Sequence, residues 1–312
     1  MASRADRVDR LGLAAVHLSL LALLAACVPS RGAGAAEGLP FPTGAARPTS
    51  SPRPSPTAPH LRASPPPPTA TVVVPTPTAA EGVPVVIGTS VGGRPLEVFR
   101  FGNGPRELLI VAGIHGGYEW NTIALADELI ERLKAEPARV PGEVTLYILR
   151  AMNPDGEARS HSYDGRANDH GVDLNRNWPV NWHPDWDRTH CWHYLPITAG
   201  AHPLSEPETA AVMPFILDHD FAGLISYHSA ALGIFPGGSP PDTASQRLAE
   251  ALAKVSGYRY PPRDYGCEYT GQFADWAVSQ GIPAVDVELT THVDTDFDIN
   301  LGVLETFLNW RP

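Results

Sequence analysis

His115 and Glu119 stand four residues apart in ELLIVAGIHGGYEWN (residues 107–121), where a run of aliphatics stops at a histidine, two glycines and an acid. Brought to one point, a neutral imidazole and a carboxylate suit a borderline-soft divalent cation, zinc above all. The pair also reads as a loop histidine beside a helix-capping glutamate, and these two residues alone do not choose. Further along, His228 follows the apolar run 222–227, and Glu288 ends the stretch PAVDVE. A carboxylate at the end of a buried strand is costly unless paired or functional, and Asp286 competes with Glu288 for that role.

Such side chains need strands that end at one edge. The apolar run before His115, bounded by turn residues, predicts a strand buried on both faces of a sheet. Gly116 and Gly117 permit a sharp turn before an amphipathic helix over 121–133. Strands are also expected at 83–91 and 94–101, as a hairpin turning at Gly92 and Gly93, and at 143–150, 222–227 and 283–289. Helices are expected at 205–218, where Ser205 caps, Pro207 enters early and acids fill the first turn, and at 244–255, 272–279 and 301–308. This alternation implies an α/β fold, a mixed, largely parallel twisted sheet flanked by helices on both faces. In open sheets of this kind ligands gather at the carboxyl edge, which is where His115, Glu119 and His228 fall.

Residues 81–312 suffice for one such domain. Residues 1–26 read as an export signal: Arg4, Arg7 and Arg10 precede an apolar run too short to span a bilayer. The run ends Leu24, Ala25, Ala26, Cys27, similar to the lipobox of bacterial lipoproteins. That implies lipid on Cys27 and a mature chain tethered to the bacterial membrane surface without spanning it. Fourteen of the 33 prolines lie between residues 29 and 77, so 27–80 reads as an extended disordered tether and not as a folded pro-domain. The net charge is −11 and residues 1–80 are net basic, so the domain is more acidic still, which argues against nucleic acid as a partner. In an exported protein Cys191 and Cys267 are most simply one disulfide, although two free thiols also fit. The domain is expected to be a monomer.

The stretch 152–178, MNPDGEARSHSYDGRANDHGVDLNRNW, narrows the reading. With NPDG, an arginine two residues before an asparagine, and GVDLNRNW, it resembles the zinc carboxypeptidase family of carboxypeptidase A. The likeness continues in order through SEPET at 205–209, SYHS at 226–229, and DW followed by VEL within 275–289, so it covers nearly all of 81–312. The resemblance implies one zinc ion held by His115, Glu119 and His228, the His₂Glu set with an open fourth position that carboxypeptidase A exemplifies. It implies Glu288 as general base and Arg166 as stabiliser of the oxyanion. Asn175 and Arg176 would bind a chain-terminal carboxylate, a task suited to the planar guanidinium fork. Tyr269, with Tyr265 as rival, would close over the substrate.

The chain also departs from the family's pattern. The family separates its first histidine and glutamate by three residues, and here the separation is four; Gly116 and Gly117 can absorb the extra one as a bulge. The arginine common between these ligands is replaced by Gly117 and Tyr118. The family's pocket for the terminal side chain is lined from just before DW, and Phe273 and Ala274, both uncharged, lean toward a neutral side chain. The remaining histidines, including His161, His170 and His292, read as loop decoration. The expected activity is hydrolysis of C-terminal bonds in a peptide or cell-wall peptide by metal-activated water. Alternatives on the same frame are a γ-glutamyl-diamino acid amidase and an aspartoacylase-type deacylase, the latter disfavoured by the full NPDG and GVDLNRNW stretch. A metal-free peptide-binding module is the alternative of another class, and retention of the ligands, Glu288 and Arg166 argues against it.

Overall fold

The computed structural model describes residues 80–186, 197–264 and 266–312; residues 1–79, which hold the expected signal and nearly all of the expected tether, lie outside the described residues, as do Cys191 and Tyr265. The elements are β1 Val85–Thr89, β2 Pro95–Gly102, β3 Arg106–Val111, α1 Trp120–Ala135, β4 Val144–Leu149, α2 Pro154–Arg159, α3 Pro207–Leu217, β5 Phe221–Ser229, β6 Ile234–Pro236, α4 Thr243–Ser256, α5 Phe273–Ser279, β7 Ala284–Leu289 and α6 Phe297–Asn309. Seven strands form one sheet in the order β1-β2-β4-β3-β5-β7-β6. The central strands β4, β3, β5 and β7 are parallel, while the pairings β1–β2, β2–β4 and β6–β7 toward the edges are antiparallel. This is the mixed, largely parallel sheet read from the sequence.

Two short elements escaped that reading. β6 has three residues, too few to show a period, and exists because it pairs with β7 from Ile234 opposite Val287 to Pro236 opposite Val285. Helix α2 opens inside NPDG, in what read as loop. Asn153 caps it by accepting from the Gly156 N–H at 2.9 Å, and Pro154 takes the first turn, where a missing N–H costs nothing.

Alternation along the strands sorts the sheet's two faces. Leu108 and Ile110 of β3, Ile225 and Tyr227 of β5, and Val285 and Val287 of β7 pack with α1, α4 and α6. Leu109, Val111 and Leu224 point the other way, toward α3, α5, Leu174 and Trp178. Intervening residues of β5 and β7 share that second face, and the register sets Ser226 beside Asp286 and His228 beside Glu288.

The extra residue between His115 and Glu119 is absorbed as a 3₁₀ turn, Gly116–Glu119, that leads into α1. Gly116 takes φ +46°, and a Cβ on Gly117 would stand 2.0 Å from the Ser160 carbonyl oxygen. Glycine answers both demands, left-handed backbone and close approach. The turn, α2 and the 160–165 loop therefore meet backbone to backbone, which fixes His115 and Glu119 relative to Arg166. Gly117→Ala forces a methyl against that carbonyl and is expected to cost about 1–3 kcal/mol, seen as a lower urea midpoint at unchanged m-value. An unaltered midpoint would mean that the contact is loose.

Candidate active site

His115 Nδ1 lies 2.8 Å from Glu119 Oε1 and 3.2 Å from His228 Nδ1, and the latter lies 3.2 Å from Glu119 Oε2. All three side chains are buried. Among the described residues they are the one His, Cys, Asp or Glu group whose ligand atoms converge, all within 4.8 Å of one another. Protons do not satisfy this arrangement, because two ring nitrogens face each other and Glu119 Oε2 has no aligned donor. Ligands at about 2.0–2.1 Å from a tetrahedral zinc stand about 3.3 Å apart, close to the 2.8–3.2 Å separations found here. The residues fit the ion.

Each imidazole is steadied from behind. His115 Nε2 faces Asp173 Oδ1 at 3.3 Å, without hydrogen-bond alignment. His228 Nε2 pairs with Ser226 Oγ at 3.0 Å and lies 3.5 Å from Asp286 Oδ1. Such partners set the ring orientation and basicity of metal-binding histidines. Burial opposes charge throughout the group. It acts to raise Glu119, yet His115 and His228 hold that carboxyl well below its ordinary range. It acts to lower His228, yet Asp286 and Glu119 hold that imidazole well above its own. Asp173, also opposed by burial, is kept far below the usual aspartate value by Arg166 and then His115.

A cavity of about 650 Å³ opens on these ligands, and Arg166, Asn175, Arg176, Tyr269 and Glu288 all line it. Every residue to which the resemblance assigned a part is therefore brought to one place. Arg166 donates through Nε to Asp173 Oδ2 at 3.0 Å, sets Nη1 3.5 Å from Glu119 Oε1, and accepts at its carbonyl oxygen from Asn153 Nδ2. Asn175 Oδ1 accepts from the Phe273 N–H at 2.8 Å. Arg176 donates through Nη1 to the Asn175 carbonyl at 2.6 Å, and its guanidinium lies 5.0 Å from the Tyr269 ring centre and 5.5 Å from that of Trp186. Glu288 Oε2 accepts from the Ala231 N–H at 2.9 Å. Burial chiefly, opposed by His228 and aided by Glu119, pushes the Glu288 carboxyl up to about 7.

Several placements differ from the sequence reading or were missed by it. Phe273 is sealed in the core against Trp178, so it does not line the cavity; Ala274 does, together with two acids, Asp275 and Asp286. The uncharged pair of the sequence reading thus has one member in the cavity and one in the core, and acids stand beside the former. His292 is no loop decoration: it lines the cavity, with Nε2 3.1 Å from Tyr118 Oη and Nδ1 3.1 Å from Ser229 Oγ. Asp173 joins Arg166 to His115, a part signalled in the sequence only by an acid between the apolar residues of GVDL. Cys267 also lines the cavity and is disulfide-bonded; Cys191, the expected partner, lies outside the described residues.

The profile of the zinc carboxypeptidases, Peptidase M14, matches residues 82–301. The chain belongs to the zinc carboxypeptidase family. Carboxypeptidase A6 of Mus musculus is 30% identical over 239 residues, covering 63% of this chain and 52% of that protein. Murein peptide amidase A of Escherichia coli (strain K12) is 28% identical over 235 residues, covering 72% and 89%. The chain thus spans about half the length of carboxypeptidase A6 and most of the amidase. The crystal structure of murein-tripeptide amidase MpaA from Escherichia coli O157 shares the fold, with a TM-score of 0.54 at 24% identity over 73% of this chain and 92% of that one. The zinc carboxypeptidase fold places the convergent side chains here at the carboxyl ends of β3, β5 and β7.

Asp173 supplies a test of the charge network. Its folded-state pKa is depressed, so its contribution to stability is present above the unfolded value of about 3.9 and lost as pH falls through and below it. Asp173→Asn is expected to be less stable than the parent at neutral pH and to lose less stability on acidification, measured by thermal unfolding across that range. Parallel stability curves would remove Asp173 from the network.

Proposed function

We propose that this chain is an exported zinc metallocarboxypeptidase, anchored by lipid on Cys27, that hydrolyses the bond to a C-terminal residue. One observation carries the reading: three convergent ligands, a carboxylate of raised pKa and a guanidinium suited to a terminal carboxylate share one cavity. When bound by His115, Glu119 and His228, zinc supplies Lewis acidity, polarising a carbonyl and making water a stronger acid.

The remaining tasks fall to the chain's own side chains. Arg176, with Asn175, takes the terminal carboxylate through its fork of donors, and its buried Nε lacks an acceptor within the protein. Tyr269, stacked on that guanidinium, covers the terminal residue. Arg166, held by Asp173, donates to the oxygen of the scissile carbonyl as negative charge develops there. Glu288 takes the proton from the attacking water and delivers it to the leaving amine nitrogen. A carboxyl poised at about 7 suits both halves of that transfer. The N–H of Ala231 holds Glu288 Oε2 beside His228.

A second reading, cleavage of a γ-D-glutamyl bond to a diamino acid in a cell-wall peptide, is supported by extent. The chain covers 89% of murein peptide amidase A against 52% of carboxypeptidase A6. Assays on an ordinary C-terminal peptide and on a γ-D-glutamyl-linked one separate the two. In either case Glu288→Gln is expected to fold and retain zinc while turnover falls at least about a hundredfold, as loss of general-base catalysis entails. Near-normal turnover would release Glu288 from its assigned role.

A further inference from the structure

Tyr118 and His292 form a wall of the cavity that has no part in the hydrolysis described above. Tyr118 stands immediately before Glu119, where the family commonly carries an arginine. Its ring stacks on that of Tyr163, with centres 5.1 Å apart, and lies 5.9 Å from the Arg166 guanidinium. Tyr163 is half exposed, so the stack joins Arg166 to the protein surface. His292 feels the charges of Glu119, Arg166 and His115, whereas Arg176 feels those of Asp173, Arg166, Tyr269 and Asp286. Arg166 alone is common to both sets. Tyr118 and His292 therefore lie beyond it from Arg176, on the side that the acyl part of a peptide reaches when its terminal carboxylate is on Arg176.

Hydrogen-bond directions along this wall are fixed from its inner end. Asn121 Nδ2 donates to two carbonyls, those of Thr291 at 2.7 Å and Asp294 at 2.9 Å, so Asn121 Oδ1 can only accept. Ser229 Oγ gives that atom its single proton at 2.9 Å. Ser229 must then accept on its other side, where His292 Nδ1 stands at 3.1 Å, and Nδ1 carries the ring proton. Burial first, opposed by Glu119 and aided by Arg166 and His115, lowers the His292 imidazole, which favours the neutral ring. Its Nε2 is left to accept, and the Tyr118 hydroxyl donates to it at 3.1 Å. With that proton committed, the Tyr118 oxygen presents only lone pairs to whatever binds in the cavity. An arginine in that place could only donate, so the exchange reverses the polarity of the wall.

We infer that Tyr118 Oη, oriented through Asn121, Ser229 and His292, accepts a hydrogen bond from a backbone N–H of the substrate on the acyl side of the scissile bond. The inference rests on the exopeptidase reading above and adds to it a substrate-binding residue on that side. His292 and Ser229 are positioning residues that act through Tyr118. An ordinary peptide and a γ-D-glutamyl one both carry an amide N–H there, so the contact serves either substrate.

The test uses the full zinc-loaded chain and an N-acylated peptide that it cleaves, with ester analogues in which oxygen replaces one N–H in either of the two residues before the scissile bond. In the parent, one of these replacements is expected to lower kcat/KM about three- to tenfold, the worth of one hydrogen bond, mainly through KM. Tyr118→Phe keeps the ring and its stack; it is expected to lose a similar factor on the amide and to treat the amide and that ester alike. His292→Ala should shrink the same preference at unchanged zinc content, because the hydroxyl is then no longer directed. A parent indifferent to both replacements overturns the inference. So does a Tyr118→Phe loss of equal size on amide and ester, which would make the hydroxyl a structural support only. If the zinc-loaded parent cleaves no peptide, the hydrolytic reading fails instead, and the same comparison is made by calorimetric titration. Equal affinity for amide and ester would then overturn the inference.

Discussion

A carboxylate sealed between two imidazoles is tolerable only where positive charge stays with it, and the architecture around Glu119 follows from that constraint. Burying an unpaired ion costs several kcal/mol after relaxation. Glu119 is 3% exposed, with His115 and His228 against its two oxygens and Arg166 3.5 Å away. Asp173 in turn balances Arg166 and faces His115. A divalent cation is the natural centre of such a set, because it bonds all three inner groups at once and leaves the outer acids to steady the rings.

Local backbone chemistry makes that cluster rigid. Gly116 and Gly117 let the turn after β3 press against α2 and the 160–165 loop. Asn153 caps α2 and also holds the Arg166 carbonyl. Asp155, one step along the same motif, binds Ser90 Oγ, the Gly92 N–H and Arg94, tying the leading hairpin to the site. Glu288 and Asp286 leave β7 on one face, beside His228 and Ser226 of β5, so a single register places both acids against the second histidine's strand.

Much of this was legible in the sequence, for identifiable reasons. The parallel strands are apolar along most of their length, so a histidine or acid at their ends stands out, as His115, His228 and Glu288 did. Strand alternation was equally available for Asp286, which reads as a rival of Glu288 although a separation of two residues puts both on one face. Other features depend on tertiary contact. Three residues of β6 carry no periodic signal, and the strand forms only against β7. His292 lies in a polar loop with nothing local to mark it, and only the fold brings it to Tyr118 and Ser229. Phe273 and Ala274 differ by one helical position, yet one enters the core and the other the cavity, a choice fixed by how α5 packs.

The most direct measurement is anomalous diffraction at the zinc edge from crystals of the zinc-loaded protein. The expected result is one ion about 2.0–2.2 Å from His115 Nδ1, His228 Nδ1 and a Glu119 carboxylate oxygen. An anomalous peak only elsewhere, or none at full zinc loading, would contradict it.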